Sequence, residues 1–175
     1  VVEKLEKIQY RGPDHLAVST IKDVTIGHLR LAIVDLDQRS NQPFSYKHLH
    51  ITYNGEIYNF LEIKKELVKL GYHFTTDSDT EVLIVGYYEW GEKVLDKLNG
   101  MFAFAIYDDI KNEIFCARDR LGVKPFYYFW ENGYFEICSQ LKPLMDVSRE
   151  ISEKAISIFL ECGYIPSPYS MLENV

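Results

Sequence analysis

The chain has 175 residues, 47% of them apolar and 26% charged, which is about one domain's length and an ordinary globular composition. Its 19 Lys and Arg against 26 Asp and Glu leave a formal charge of -7, which excludes a general nucleic-acid binder held by phosphate neutralisation. No apolar run reaches the ~18 residues of a membrane helix, and no basic-then-apolar leader opens the chain. The three cysteines (Cys116, Cys138, Cys162) are an odd number without a CxxC, which argues against a disulfide framework and for a reducing cytoplasm. None of His15, His28, His48, His50 and His73 has zinc-finger spacing, so no metal site is expected.

In chain order, Val1, Leu5 and Ile8 recur at helix spacing with no cap before them, so the start reads as cut. Residues 9–14 (QYRGPD) read as a loop broken by Gly12 and Pro13. Leu16 to Thr20 and Val24 to Val34 read as strands joined at Lys22-Asp23, Asp35 to Tyr46 as a loop, and Leu49 to Tyr53 as a strand ending at Asn54-Gly55. Asn59 and Glu62 make a capping box for a helix whose face is Phe60, Ile63, Leu67 and Leu70, stopped by Gly71. Ser78 and Glu81 repeat that grammar for a helix running to Trp90 and Gly91.

Beyond Gly100 strands return. Met101 to Tyr107 and Glu113 to Ala117 flank a polar turn, and Lys124 to Trp130 and Tyr134 to Ser139 flank Asn132-Gly133, a type I′ hairpin signal. Ile151 to Glu161 is helical, with Ile151, Ala155, Ile158 and Phe159 apolar, and stops at Gly163. Hairpins beside helices, without βαβ alternation, give an α+β fold with antiparallel sheets.

Three places carry chemistry. Arg30 lies in an apolar strand, where a charge is costly unless it meets an anion; a guanidinium suits a substrate carboxylate, though by the residues alone a structural ion pair with a nearby Asp is the preferred reading. In residues 53–59, Asn54 and Gly55 offer an amide and exposed backbone N–H groups that could stabilise an oxyanion, or simply a tight turn. Asp79 opens the second helix and complements its dipole; the capping box does not require it, so it is free to hold an ammonium. Together these are the parts needed to hold an α-amino acid while its side-chain carbonyl reacts.

Six stretches, residues 11–14 (RGPD), 28–35 (HLRLAIVD), 53–59 (YNGEIYN), 78–81 (SDTE), 100–105 (GMFAFA) and 118–125 (RDRLGVKP), stand in the order found in the glutaminase domain of glutamine-hydrolysing asparagine synthetases, and the chain resembles that family over essentially its whole length. The tail, residues 163–171 (GYIPSPYSM), resembles the entry to the ATP-using synthetase domain. The resemblance implies a class II glutamine amidotransferase with the N-terminal-nucleophile hydrolase fold, a four-layer αββα sandwich of two antiparallel sheets, here without its first strand. It also implies an amidotransferase domain over 1–147, with linker and the start of a synthetase domain over 148–175.

By the same resemblance Arg30 binds the glutamine α-carboxylate, the backbone of Leu31, Ala32, Ile33 and Val34 lines the pocket, Asn54 and Gly55 form the oxyanion hole, and Glu56 and Asp79 face the amino group. No cofactor is implied in this domain; ATP and Mg belong to the synthetase domain that would follow. The implied partners are glutamine, that synthetase domain and a second copy in a homodimer, with neither nucleic acid nor membrane. The family nucleophile is an N-terminal Cys whose free amine is the base. The chain begins with Val1, and its internal cysteines, which read as core residues, cannot supply that amine. The expectation is a chain that is inactive and poorly stable as it stands. Gln140 replaces the family's usual acid. Arg118, Asp119 and Arg120 read as an ion-pair network or as a solvated turn. Two alternatives stay open: a glutaminase module serving another acceptor, and a nucleophile-free relic that binds an amino acid or scaffolds a synthetase domain.

Overall fold

The computed structural model describes residues 1–32, 35, 37–145 and 149–175. The chain divides into two compact units, Val1–Pro125 and Phe126–Val175. The first carries helix α1 (Val2–Glu6), hairpin β1 (His15–Ile21) and β2 (Val24–Arg30), strands β3 (Phe44–Tyr46) and β4 (Leu49–Ile57), helices α2 (Phe60–Lys69) and α3 (Asp79–Trp90), and strands β5 (Gly100–Asp108) and β6 (Glu113–Arg118). The second carries hairpin β7 (Tyr127–Glu131) and β8 (Tyr134–Cys138) and helix α4 (Glu153–Cys162). Every paired strand is antiparallel. The α+β reading therefore holds. Among the described residues no helix is long and apolar enough to cross a membrane.

In the first unit, β3-β4-β5-β6 form one sheet. Strand side chains alternate between faces. Leu49, Ile51, Tyr53, Ile57, Phe102, Phe104 and Ile106 point to one face and form the core with Ile63 and Leu67 of α2 and Val82, Leu83, Ile84 and Val85 of α3. Helix α3 is buried all round from Asp79 to Gly86, as a helix apolar on every side must be. The opposite face carries Thr52, Asn54 and Glu56. Here Thr52 Oγ1 meets His28 Nδ1 at 3.1 Å, so the β1–β2 hairpin lies over this face. The next residue on β2, Gly27, points the other way, where a Cβ would strike Leu5 Cδ1 at 2.7 Å, so α1 covers the outside of the hairpin. Helix, sheet, sheet and helix are thus stacked within this unit.

Several expected elements shift. Strand β2 ends at Arg30 rather than continuing to Leu31 and Ala32, because its partner begins at His15, opposite Arg30; Ile33 and Val34 lie outside the described residues. Residues 9–11 form a 3-10 turn. Part of the expected loop before residue 46 is strand β3, paired Tyr46↔Leu49. Asn59 starts α2 without capping it by its side chain; that amide instead bonds Lys97 O at 2.9 Å and Asn99 N at 3.0 Å. Leu70 is exposed. Ser78 does cap α3, accepting from Thr80 N. Glu81 does not close a capping box: its buried carboxylate takes the N–H and hydroxyl of both Thr75 and Thr76. Arg118, Asp119 and Arg120 bond backbone groups instead of one another. Arg118 reaches the carbonyls of Lys124 and Gly122, and Arg120 that of Leu95. Asp119 accepts from the N–H groups of Phe102, Leu121, Val123 and Lys124.

In the second unit, Asn132 and Gly133 both have positive φ (50° and 79°), as a type I′ turn requires. Strand β7 begins at Tyr127, three residues later than the pattern suggested. Ser152 caps α4 and Gly163 ends it in the left-handed conformation. Only Ala155 of that helix is buried, and Phe159 is exposed. Ile151 lies outside the helix and bridges to Leu172. Cys162 is exposed rather than a core residue, while Cys116 and Cys138 are half-buried.

Candidate functional site

The expected corner at Asn54-Gly55 is not a turn. Strand β4 runs straight through it to Ile57, with Asn54 opposite Ala103 and Gly55 opposite Phe102. Gly55 is required by a close approach: a Cβ there would strike Met101 O, come to 2.7 Å from Phe102 Cα and meet the Tyr53 ring at 2.9 Å. Gly100, two strand positions away opposite Ile57, is forced in the same way by the carbonyl of Glu56.

The ladder fixes which way the Gly55 N–H points. Phe102 turns both its polar groups toward the β6 side, where its N–H reaches Asp119 and its carbonyl receives Asp119 N at 2.7 Å. Its opposite number Gly55 therefore turns its own away from β5, to the edge that β3 leaves uncovered. Tyr53 and Ile57 share that parity, and both are taken there by side chains. Gln42 accepts Tyr53 N at 2.6 Å and donates to Tyr53 O at 3.1 Å, and Asp79 accepts Ile57 N at 3.1 Å. Among the described residues nothing takes the Gly55 N–H between them. On the inter-sheet face Asn54 Nδ2 is buried and also lacks a hydrogen-bond partner. Two adjacent residues thus hold unspent N–H donors, as an oxyanion site requires.

The remaining expected residues are placed as follows. Arg30 ends β2, and its guanidinium bonds the carbonyls of Asp35 and Asp37 and, at 2.6 Å, Asn41 Oδ1. All three acceptors are uncharged oxygens of the segment that carries Gln42 to the β4 edge, and the Asp35 carboxylate of that segment lies within electrostatic reach of the guanidinium without bonding it. Leu31 is exposed, and Ala32 N is bonded to Asp14 Oδ2 at 2.8 Å. Glu56 sits on the Asn54 face, half-buried. Asp79 is buried at the start of α3; its Oδ2 takes the Tyr53 phenol at 2.7 Å as well as Ile57 N. Burial pushes the Asp79 carboxyl above its ordinary range, outweighing the bonds from Tyr53 and Ile57, and Glu56 adds to the rise. Burial and Asp79 also push the Tyr53 phenol far up, so it remains a donor.

The structure therefore gathers Asn54, Gly55, Glu56 and Asp79 around one strand end, with Arg30 tied to the segment that clasps it. It adds Gln42 and Tyr53, which had no expected role: no local signal marks Gln42, and Tyr53 stands unremarked inside its motif. Cys116 has its thiol pushed up to about 11 by burial, which disfavours the thiolate. Among the described residues no group of three or more His, Cys, Asp or Glu is placed to hold a metal ion.

The glutamine amidotransferase domain family matches residues 1–175. The glutamine-hydrolyzing asparagine synthetase 3 of Bacillus subtilis is 40% identical over 93% of this chain and 28% of its own length. Asparagine synthetase B of Escherichia coli is 37% identical over 93% of this chain and 30% of its own length. The chain spans well under half of the curated relatives it matches. Among solved structures, the glutamine phosphoribosylpyrophosphate amidotransferase of B. subtilis superposes with a TM-score of 0.67 over 81% of this chain and 39% of its own, at 22% identity, a likeness of fold. A structure of the allosteric regulatory enzyme of purine biosynthesis gives 0.59 over 69% of this chain and 28% of its own, at 26% identity.

Proposed function

We propose, from the premise that this chain belongs to the glutamine amidotransferase family, that it is the glutaminase part of a glutamine-hydrolysing asparagine synthetase. The observation that carries the reading is the pair of unspent donors on adjacent residues, Asn54 Nδ2 and the Gly55 N–H. In this reading the thiol of an N-terminal Cys, outside the present sequence, gives its proton to its own α-amine and attacks the carboxamide carbon of glutamine. The carbonyl electrons move onto oxygen, which Asn54 and Gly55 hold. They return as the C–N bond breaks, and the amine's proton leaves with nitrogen as ammonia. Water then cleaves the thioester to glutamate. Arg30 holds the α-carboxylate beside the backbone at Leu31 and Ala32, and Glu56 and the second oxygen of Asp79 face the ammonium.

The same reading assigns residues 1–147 to the amidotransferase domain and 148–175 to the approach to a synthetase domain, where ATP and Mg would amidate aspartate with the ammonia. It also takes the protein as cytoplasmic and able to form a homodimer. Its support is the identity with asparagine synthetases along almost the whole chain. The test is the full-length gene product and a variant whose first mature Cys is changed to Ala. The former releases ammonia from glutamine and is captured by an electrophilic glutamine analogue, and the latter does neither. Ammonia release that survives the change ends the assignment.

A further inference from the structure

We propose that His15 is a further substrate-positioning residue, donating a hydrogen bond from Nδ1 to the α-carboxylate of the bound amino acid beside Arg30; this rests on the glutamine-site reading above. His15 opens β1 directly opposite Arg30, and residues directly opposed in an antiparallel pair share a face. That face is turned toward the large sheet, because His28, next on the same side of β2, bonds Thr52 Oγ1 on β4. His15, Arg30 and His28 therefore form one wall of the inter-sheet space, and Thr52 and Asn54 form the wall across from it.

His15 Nδ1 is buried and makes no hydrogen bond, a state that only Asn54 Nδ2 shares among the side-chain nitrogens and oxygens of the described residues. Buried polar atoms nearly always have partners, and one without calls for an explanation. Asn54 has one in the carbonyl oxygen of the substrate. His15 lies at the Arg30 end of the same space, where the substrate's other end belongs. Its wall suits an anion. The described hydrogen bonds of Arg30 go to uncharged oxygens, and the Asp35 carboxylate, which it reaches only electrostatically, is held instead by Ser40 and the N–H groups of Asp37 and Asp77. His28 adds no competing charge, since burial, aided by Arg30 and His15, pushes its imidazole down to about 4. With a proton on Nδ1 the His15 ring presents an N–H donor beside Arg30.

The experiment compares His15→Leu, which removes the donor, with His15→Asn, whose side-chain amide puts an N–H near the place of Nδ1, in the full-length enzyme. His15→Leu should raise the KM for glutamine about 10- to 100-fold, the range of a hydrogen bond to a charged group, with kcat unchanged, the signature of lost uniform binding. His15→Asn should recover most of that loss. Inhibition by 4-aminobutanamide, which lacks the α-carboxylate, should be the same in all three proteins. An equal loss for that compound, or a lowered Tm of His15→Leu with unchanged KM, would assign Nδ1 to packing and overturn the inference. Arg30→Ala in parallel separates the two levels. If it raises KM while His15→Leu does not, only the role of His15 falls; if it too leaves KM unchanged, the site reading itself falls.

Discussion

The phenol of Tyr53 donates to Asp79 Oδ2 at 2.7 Å, across the ring's path over Gly55. The acid at the head of α3 is thus a brace on the strand that carries the oxyanion donors, besides any contact it makes with substrate. Because the same oxygen takes Ile57 N, Asp79 fixes the strand on both sides of Gly55.

Tyr53→Phe should therefore weaken both fold and turnover. Losing a hydrogen bond to a buried charged group costs about 1.5–3 kcal/mol. The pH dependence has a definite sign. The Asp79 carboxyl is raised in the fold, so its contribution is fully present below its ordinary 3.8 and is lost as pH rises through the raised value. The phenol opposes that rise, and removing it lets the carboxyl climb further. The stability gap between wild type and Tyr53→Phe should widen as pH rises above 3.8, measured by urea unfolding at several pH values. A gap independent of pH would show that the phenol does not act through Asp79.

Asn54→Ala and Gly55→Ala should part company. Asn54→Ala deletes a buried donor that has no partner, so stability should hold or improve, while glutaminase kcat should fall about 100- to 1,000-fold with the loss of one oxyanion donor. Gly55→Ala should lower the Tm as well, because its methyl group meets backbone of β5 on one side and the Tyr53 ring on the other. A rise in KM alone for Asn54→Ala would make that residue a binding group rather than an oxyanion donor.

Arg30→Ala should impair glutamine-dependent synthesis and spare synthesis from free ammonia, since the guanidinium lies in the glutamine site. Both nitrogen sources are assayed side by side. Equal loss of both would show that its bonds to residues 35, 37 and 41 are its whole contribution.

Asp119→Asn tests the loop after β6. Burial would raise this carboxyl, but the N–H groups of Lys124, Val123, Phe102 and Leu121 outweigh it and hold the group below its ordinary 3.8. The stability that Asp119 adds is present above that value and is lost as pH falls through the depressed one. The deficit of Asp119→Asn should be constant near neutrality and shrink in acid below pH 3.8, followed by fluorescence-detected unfolding.

What the sequence disclosed was whatever depends on near neighbours. Asn132-Gly133 needs only its own φ angles to make a hairpin, and Gly71, Gly91 and Gly163 stop helices by local geometry. Asn54-Gly55 looks like the same signal, yet its glycine answers to Met101 and Phe102, which are distant in sequence and invisible to a local pattern. Glu81 has capping-box spacing from Ser78, but its carboxylate turns back to Thr75 and Thr76, a choice that spacing cannot reveal. The site residues were recognisable as types, a cation, an amide and acids. Which of their atoms are already bonded, as at Asp79, or still unspent, as at Asn54, depends on the fold.

The alternation of N–H groups along the β4 edge has a mechanical consequence. Tyr53, Gly55 and Ile57 present theirs at steps of about 6.6 Å, two strand residues of about 3.3 Å each, and the outer two are closed by Gln42 and Asp79. The edge is a comb with one tooth gap, and an incoming oxygen has a single berth. The side chain of Asn54 belongs to that berth through the same pleat, so a slip of one residue between β4 and β5 would turn the Gly55 N–H inward and throw the amide to the opposite face at once. Both donors are set by one degree of freedom, the register of a central strand pair, which the glycines at 55 and 100 lock by contact. Wear on this site should therefore be all-or-none: substitutions that loosen the register extinguish the oxyanion berth as a unit rather than dimming it by halves.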